Sequence, residues 1–94
     1  MALLSMSQIN AYLEKLSDWG LKDGGKMIIK NFKFKDFKEA VEFVNKVSEI
    51  AEAEEHHPDI RIYDYNNVEV KLTTHSAKGL TEKDFKVALN IDKS

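Results

Sequence analysis

The sequence predicts an α+β fold in the order α-β-β-α-β-β-α, a four-stranded antiparallel sheet with its helices packed on one face. Three observations predict it. Val68, Val70, Leu72 and Thr74 alternate with Glu69, Lys71 and Thr73, which describes a strand with one dry face and one wet one. Phe37, Ala40, Val41, Val44, Val47 and Ala51 recur at helical spacing and form the stripe of one long amphipathic helix. Gly24-Gly25 and Asn66-Asn67 each separate two strand-like runs, so the strands come as hairpins. Two hairpins and amphipathic helices pack as an antiparallel sheet covered on one side.

Each element has its own warrant. Ser7 is a candidate N-cap, and Ile9, Tyr12, Leu13 and Leu16 follow at helical spacing, giving a first helix over about 8–17. Residues 1–6 are expected to be disordered. Trp19 and Leu21 alternate into a short strand, and after Gly24-Gly25 a second strand runs from Lys26 to Phe34 with Ile28, Phe32 and Phe34 on one face. Asp36 and Glu39 form a capping box that starts the long helix near Phe37, and Pro58 forces it to end earlier. Ile60 and Ile62 alternate with Arg61 and Tyr63 in a third strand reaching about Tyr65, with the hairpin turn at Asn66-Asn67. Thr81 and Asp84 cap a last helix whose stripe is Phe85, Ala88, Leu89 and Ile91.

At 94 residues the chain is one domain, without repeats or linkers. The core of so small a domain is thin, and association into a homo-oligomer is the natural supplement. A net charge of -2 provides no basic field for nucleic acid. No apolar run approaches a membrane span, and the opening Met1–Met6 lacks the basic start of a signal peptide. The chain has no cysteine, which excludes disulfides and thiolate chemistry and fits a cytoplasmic location.

All three histidines fall between Glu52 and Asp84, in Glu52-Ala53-Glu54-Glu55-His56-His57-Pro58 and in Thr74-His75. Histidine exchanges protons near neutral pH, so their concentration points to acid–base chemistry. Glu52 and His56, four residues apart, share a face if the long helix extends that far, which would let the carboxylate orient and tune the imidazole. His75, at the end of the fourth strand, lies close to the third if the hairpin forms. Residue types alone leave bland readings open. The histidine pair is also what a solvated loop would carry, and the helix cap explains Asp84 equally well. Three histidines and a carboxylate are competent zinc ligands, but no His-x-x-x-His or His-x-His spacing aims two imidazoles at one ion, so no metal is expected. Phosphate loop, nucleophile elbow and dinucleotide fingerprint are all missing.

Glu52-x-x-x-His56-His57-Pro58, then Tyr65, then His75 and Asp84, resembles the pterin-4a-carbinolamine dehydratase family. Asp18-Trp19, Phe34-x-x-Phe37 and Gly79-Leu80-Thr81-x-x-Asp84-Phe85 extend the likeness over about residues 7–92. Three features depart from the family pattern. Six residues separate Pro58 from Tyr65, one more than usual, which predicts a bulge in the third strand. Ile60 replaces a tryptophan found in many members, and Lys78 stands where glycine is common. The resemblance implies dehydration of 4a-hydroxytetrahydropterin to quinonoid dihydropterin in tetrahydropterin recycling, without cofactor or metal. It implies His56 and His75 as the acid–base pair, His57 for binding and orienting the pterin, and Glu52 and Asp84 in support. The alternative it implies is a non-catalytic role on the same fold, as a dimerisation or transcriptional cofactor or a pterin-binding protein.

Overall fold

A computed structural model describes residues 2–94. Its elements are α1 (Met6–Leu13), β1 (Gly20–Lys22), β2 (Met27–Lys33), α2 (Phe37–Glu54), β3 (Asp59–Tyr63), β4 (Asn67–Leu72), a short 3-10 turn (His75–Ala77) and α3 (Glu82–Lys93). The order is the one the sequence predicts. The four strands form one antiparallel sheet in the order β1-β2-β4-β3.

The alternation in β4 sets the layers. Val68, Val70 and Leu72 are fully buried and pair across the sheet with Phe32, Lys30 and Ile28 on one side. Val68 and Val70 face Ile62 and Ile60 on the other. The buried face packs against Ala40 and Val47 of α2 and Phe85, Val87, Ala88 and Ile91 of α3, so the helices cover one side only. The opposite face is polar, with Arg61 and Lys71 both paired to Glu69.

One polar cluster reaches into this packing. Asp92 of α3 accepts from the Lys30 ammonium at 2.9 Å, from Trp19 Nε1–H and from the Ser17 backbone N–H. It joins the 17–19 segment, β2 and α3. Burial by itself would raise the Asp92 carboxyl, but the three donors outweigh it and hold the group below the usual carboxylate range.

Four local expectations are corrected. First, α1 starts earlier than predicted, because Ser5 rather than Ser7 is its cap. Ser5 Oγ accepts from Gln8 N–H while Gln8 Oε1 accepts from Ser5 N–H, a complete capping box. It also ends earlier, in 3-10-type bonds from Lys15 to Tyr12 and from Leu16 to Leu13. Second, residues 2–5 are not disordered: Leu4 N–H donates to Leu80 O, and Leu3 lies over Gly79. Met1 lies outside the described residues.

Third, the β3–β4 turn falls on Asp64, Tyr65 and Asn66, and Asn67 already belongs to β4. Asp64 and Tyr65 take the positive φ angles of 47° and 54°. Asn66 is instead buried, its side chain donating to Phe34 O and its own carbonyl accepting from Phe34 N–H. Fourth, the pairing of β3 with β4 is unbroken from Asp59↔Lys71 to Tyr63↔Asn67. There is no bulge, and a three-residue turn closes the hairpin.

Candidate active site

Where α2 stops decides where the histidines go. Glu55 adopts the left-handed conformation (φ 52, ψ 41), and His56 N–H reaches back to Ala51 O at 3.1 Å. This is the Schellman arrangement, which caps the free carbonyls and reverses the chain. Glu52 and His56 therefore do not share a helical face. The Glu52 carboxylate pairs instead with His57 Nε2, and both side chains are largely exposed. The expected support of His56 by Glu52 is thus corrected, because α2 ends at Glu54, two residues before His56.

His56 points inward, to the start of α3. Its Nε2 lies 2.6 Å from Asp84 Oδ1; the imidazole is 12% exposed and the carboxylate 0%. Asp84 is the third residue of α3 and does two jobs at once. Oδ2 closes the capping box by accepting from Thr81 N–H at 2.9 Å, and it also accepts from Thr74 Oγ1 at 2.8 Å. The cap and the support of the imidazole use different oxygens, so one residue satisfies both.

The donor inventory then orders the protons. A threonine hydroxyl has one proton, and Thr74 gives its proton to Asp84. In the 2.8 Å contact between the Thr74 and Thr81 hydroxyls, Thr81 is accordingly the donor. Thr81 Oγ1 in turn accepts from the Asp84 N–H through the capping box. Oδ2 is committed to two donors at the positive end of α3, leaving Oδ1 to accept from the imidazole. His56 is thereby held as the Nε2–H tautomer, and Nδ1 is the ring atom left for a reacting partner.

His75 follows Thr74 directly and opens the 3-10 turn. An antiparallel bridge between Thr74 and Gly79 closes this small loop, with Lys78 at a positive φ of 60°. A left-handed residue is required there, which explains why glycine suits the position and shows that this chain accepts the strain of lysine. The His75 imidazole is exposed and, among the described residues, has no hydrogen-bond or ion-pair partner. Asp84 and His56 are brought together, and Thr74 links them to the His75 turn. His57 stands beside them on the surface, held by Glu52.

The sequence reading foresaw the Thr81 cap but missed the Thr74 hydroxyl and its bonds to Thr81 and Asp84. The signal was present: Thr74 continues the buried phase of Val68, Val70 and Leu72, and a hydroxyl on a dry face needs a partner. An apolar cleft between α1 and α3, lined by Tyr12, Leu16, Phe85 and Leu89, contains none of the histidines. Among the described residues no three His, Asp or Glu side chains converge to hold a metal ion. What the arrangement can do is move protons, through one imidazole oriented on a buried carboxylate, with the other two histidines exposed to solvent.

Residues 2–94 match the family described as pterin 4 alpha carbinolamine dehydratase. The chain belongs to that family. It is 50% identical over 92 residues to a protein of Sulfurisphaera tokodaii provisionally named a pterin-4-alpha-carbinolamine dehydratase, covering 98% of this chain and 96% of that one. A Nostoc protein with the same provisional name is 54% identical over 89 residues, 95% of this chain and 92% of the other. Among solved structures, a transcriptional coactivator/pterin dehydratase from Brucella melitensis superimposes with a TM-score of 0.90 at 39% identity, covering 98% of this chain and 97% of its own. In this dehydratase-family chain, the Asp84–His56 pair and the His75 turn occupy the segment that the sequence resemblance singles out.

Proposed function

We propose that this protein dehydrates 4a-hydroxytetrahydropterin to quinonoid dihydropterin by histidine acid–base catalysis, in tetrahydropterin recycling. The observation that carries the reading is the 2.6 Å contact of His56 Nε2 with the fully buried Asp84 carboxylate, from which the Nε2–H tautomer follows. In the reaction the C4a–O bond breaks and its electron pair leaves with the oxygen, which takes a proton and departs as water. A ring N–H loses its proton, and that electron pair forms the new C=N bond. His56 is the base: Nδ1 takes the ring proton, and Asp84 stabilises the imidazolium that results. His75, exposed at the end of its turn, donates to the departing hydroxyl. His57 binds and orients the pterin, with Glu52 holding its ring. These steps require no metal or cofactor.

The protein is further proposed to act in the cytoplasm as a homo-oligomer. Among the described residues no helix is long and apolar enough to cross a membrane. A sedimentation mass equal to a single 10.8 kDa chain would exclude the oligomer. A non-catalytic role is the second reading, supported by the coactivator half of the Brucella protein's name. The oriented Asp84–His56 pair favours catalysis, since a docking surface has no use for a fixed tautomer.

Stopped-flow dehydration of synthetic 4a-hydroxytetrahydropterin tests the choice, using chelator-treated wild type, His56→Ala and His75→Ala. Acceleration that survives chelation and falls by about 10²–10⁴ in each variant supports the proposal. A folded wild type no faster than buffer would refute it and favour the binding role.

A further inference from the structure

Thr74 occupies the junction between the two proposed catalytic imidazoles. Its main chain closes the turn that carries His75: Thr74 N–H donates to Gly79 O at 2.9 Å, and Thr74 O accepts from Ala77 N–H at 3.1 Å. Its side chain points to the opposite side, into the buried layer, where only 4% of the residue is exposed. There Oγ1 accepts from the Thr81 hydroxyl and donates to Asp84 Oδ2. One residue thus fixes the position of His75 through its backbone and that of His56 through Asp84.

We propose that Thr74 is a positioning residue whose hydroxyl, by committing Asp84 Oδ2 as an acceptor, holds His56 in its working tautomer. The proposal rests on the dehydratase reading for its kinetic consequence, but not for its structural one. Without the hydroxyl, Oδ2 keeps only the Thr81 N–H, and the carboxylate is freer to turn about its last torsion. The carboxylate oxygen facing His56 is then no longer a single fixed atom, and the ring is held less firmly.

Two substitutions separate the hydroxyl from packing. Thr74→Val keeps the β-branched shape and removes the donor; Thr74→Ser keeps the donor and removes the methyl. If Thr74 mattered only as a packed residue, serine would be the more harmful. The positioning role reverses that order. With only three histidines in the chain, the His56 ring proton is assignable by NMR. In wild type and Thr74→Ser it gives a protected resonance, whereas in Thr74→Val it broadens into exchange with water. Over the same series kcat falls about tenfold in Thr74→Val, the value of one hydrogen bond to a charged group, with KM within twofold. Thr74→Ser stays within about threefold of wild type.

Thr74→Ala provides a second variant without the hydroxyl should valine crowd the site, and the serine–alanine comparison then carries the same contrast. A His56 ring proton as protected in Thr74→Val or Thr74→Ala as in wild type would overturn the proposal. A wild type that shows the ring-proton pattern but no dehydration would overturn the dehydratase reading alone.

Discussion

Asp84→Asn changes one atom and should invert the chemistry of His56. In the variant the amide must choose which atom faces which neighbour. The position of Oδ2 receives hydrogens from Thr81 N–H and Thr74 Oγ1, so the amide oxygen belongs there. The amide nitrogen is then left 2.6 Å from His56 Nε2 in the wild-type geometry, and it donates where the carboxylate accepted. His56 must become the Nδ1–H tautomer, with its Nε2 lone pair turned toward the new amide and a hydrogen where the substrate proton should go. A base presented in the wrong tautomer costs about 10³–10⁴ in kcat, or about 4–5.5 kcal/mol of transition-state stabilisation. Every hydrogen bond of the network can still form, so the fold should lose only about 1 kcal/mol, for the exchange of a charged for a neutral acceptor. Stopped-flow dehydration measures the first quantity, and urea unfolding followed by fluorescence of Trp19, the single tryptophan, measures the second. A folded Asp84→Asn that keeps activity within threefold, or whose His56 ring still carries the proton on Nε2, would refute the tautomer assignment.

The remaining predictions concern stability and substrate binding. Asp92→Asn leaves the Lys30 ammonium, only 13% exposed, without its counter-charge, and should cost about 2–3 kcal/mol in urea unfolding. Because the Asp92 carboxyl is held below its ordinary value, its contribution is present above the unfolded-state value of about 3.9 and is lost as pH falls through the lower folded value. The stability gap between wild type and Asp92→Asn should be full at neutral pH and close in strong acid; a gap independent of pH would contradict the ion-pair account. Glu55→Gly relieves the left-handed glutamate at the end of α2 and should stabilise by up to about 1 kcal/mol without loss of activity. A destabilised Glu55→Gly would show that the glutamate side chain, not its backbone, matters at that cap. Glu52→Gln removes an exposed partner of His57 and should leave the melting temperature unchanged while raising KM more than it lowers kcat. An unchanged KM would remove His57 from substrate binding.

The periodicity of the chain determined the architecture. Alternation in β4, the stripe of α2 and the glycine turn depend on neighbours two to four residues away, and burying those faces gives an antiparallel sheet covered on one side. The join of the two hairpins through β2 and β4 was set by packing. The clustering of the histidines and the Thr81–Asp84 cap were also legible, because each is local in sequence. What the sequence could not assign was partnership. Whether Glu52 meets His56 or His57 turns on a single left-handed residue, Glu55, and no spacing rule signals where a helix takes that turn. The bond from Asp84 to His56 spans 28 residues and exists only because α3 packs beside α2. The role of Thr74 depends on three elements meeting in the dry layer, where a hydroxyl must find its partners inside the protein. Local sequence set the identity and the face of each side chain; packing decided which acid orients which base.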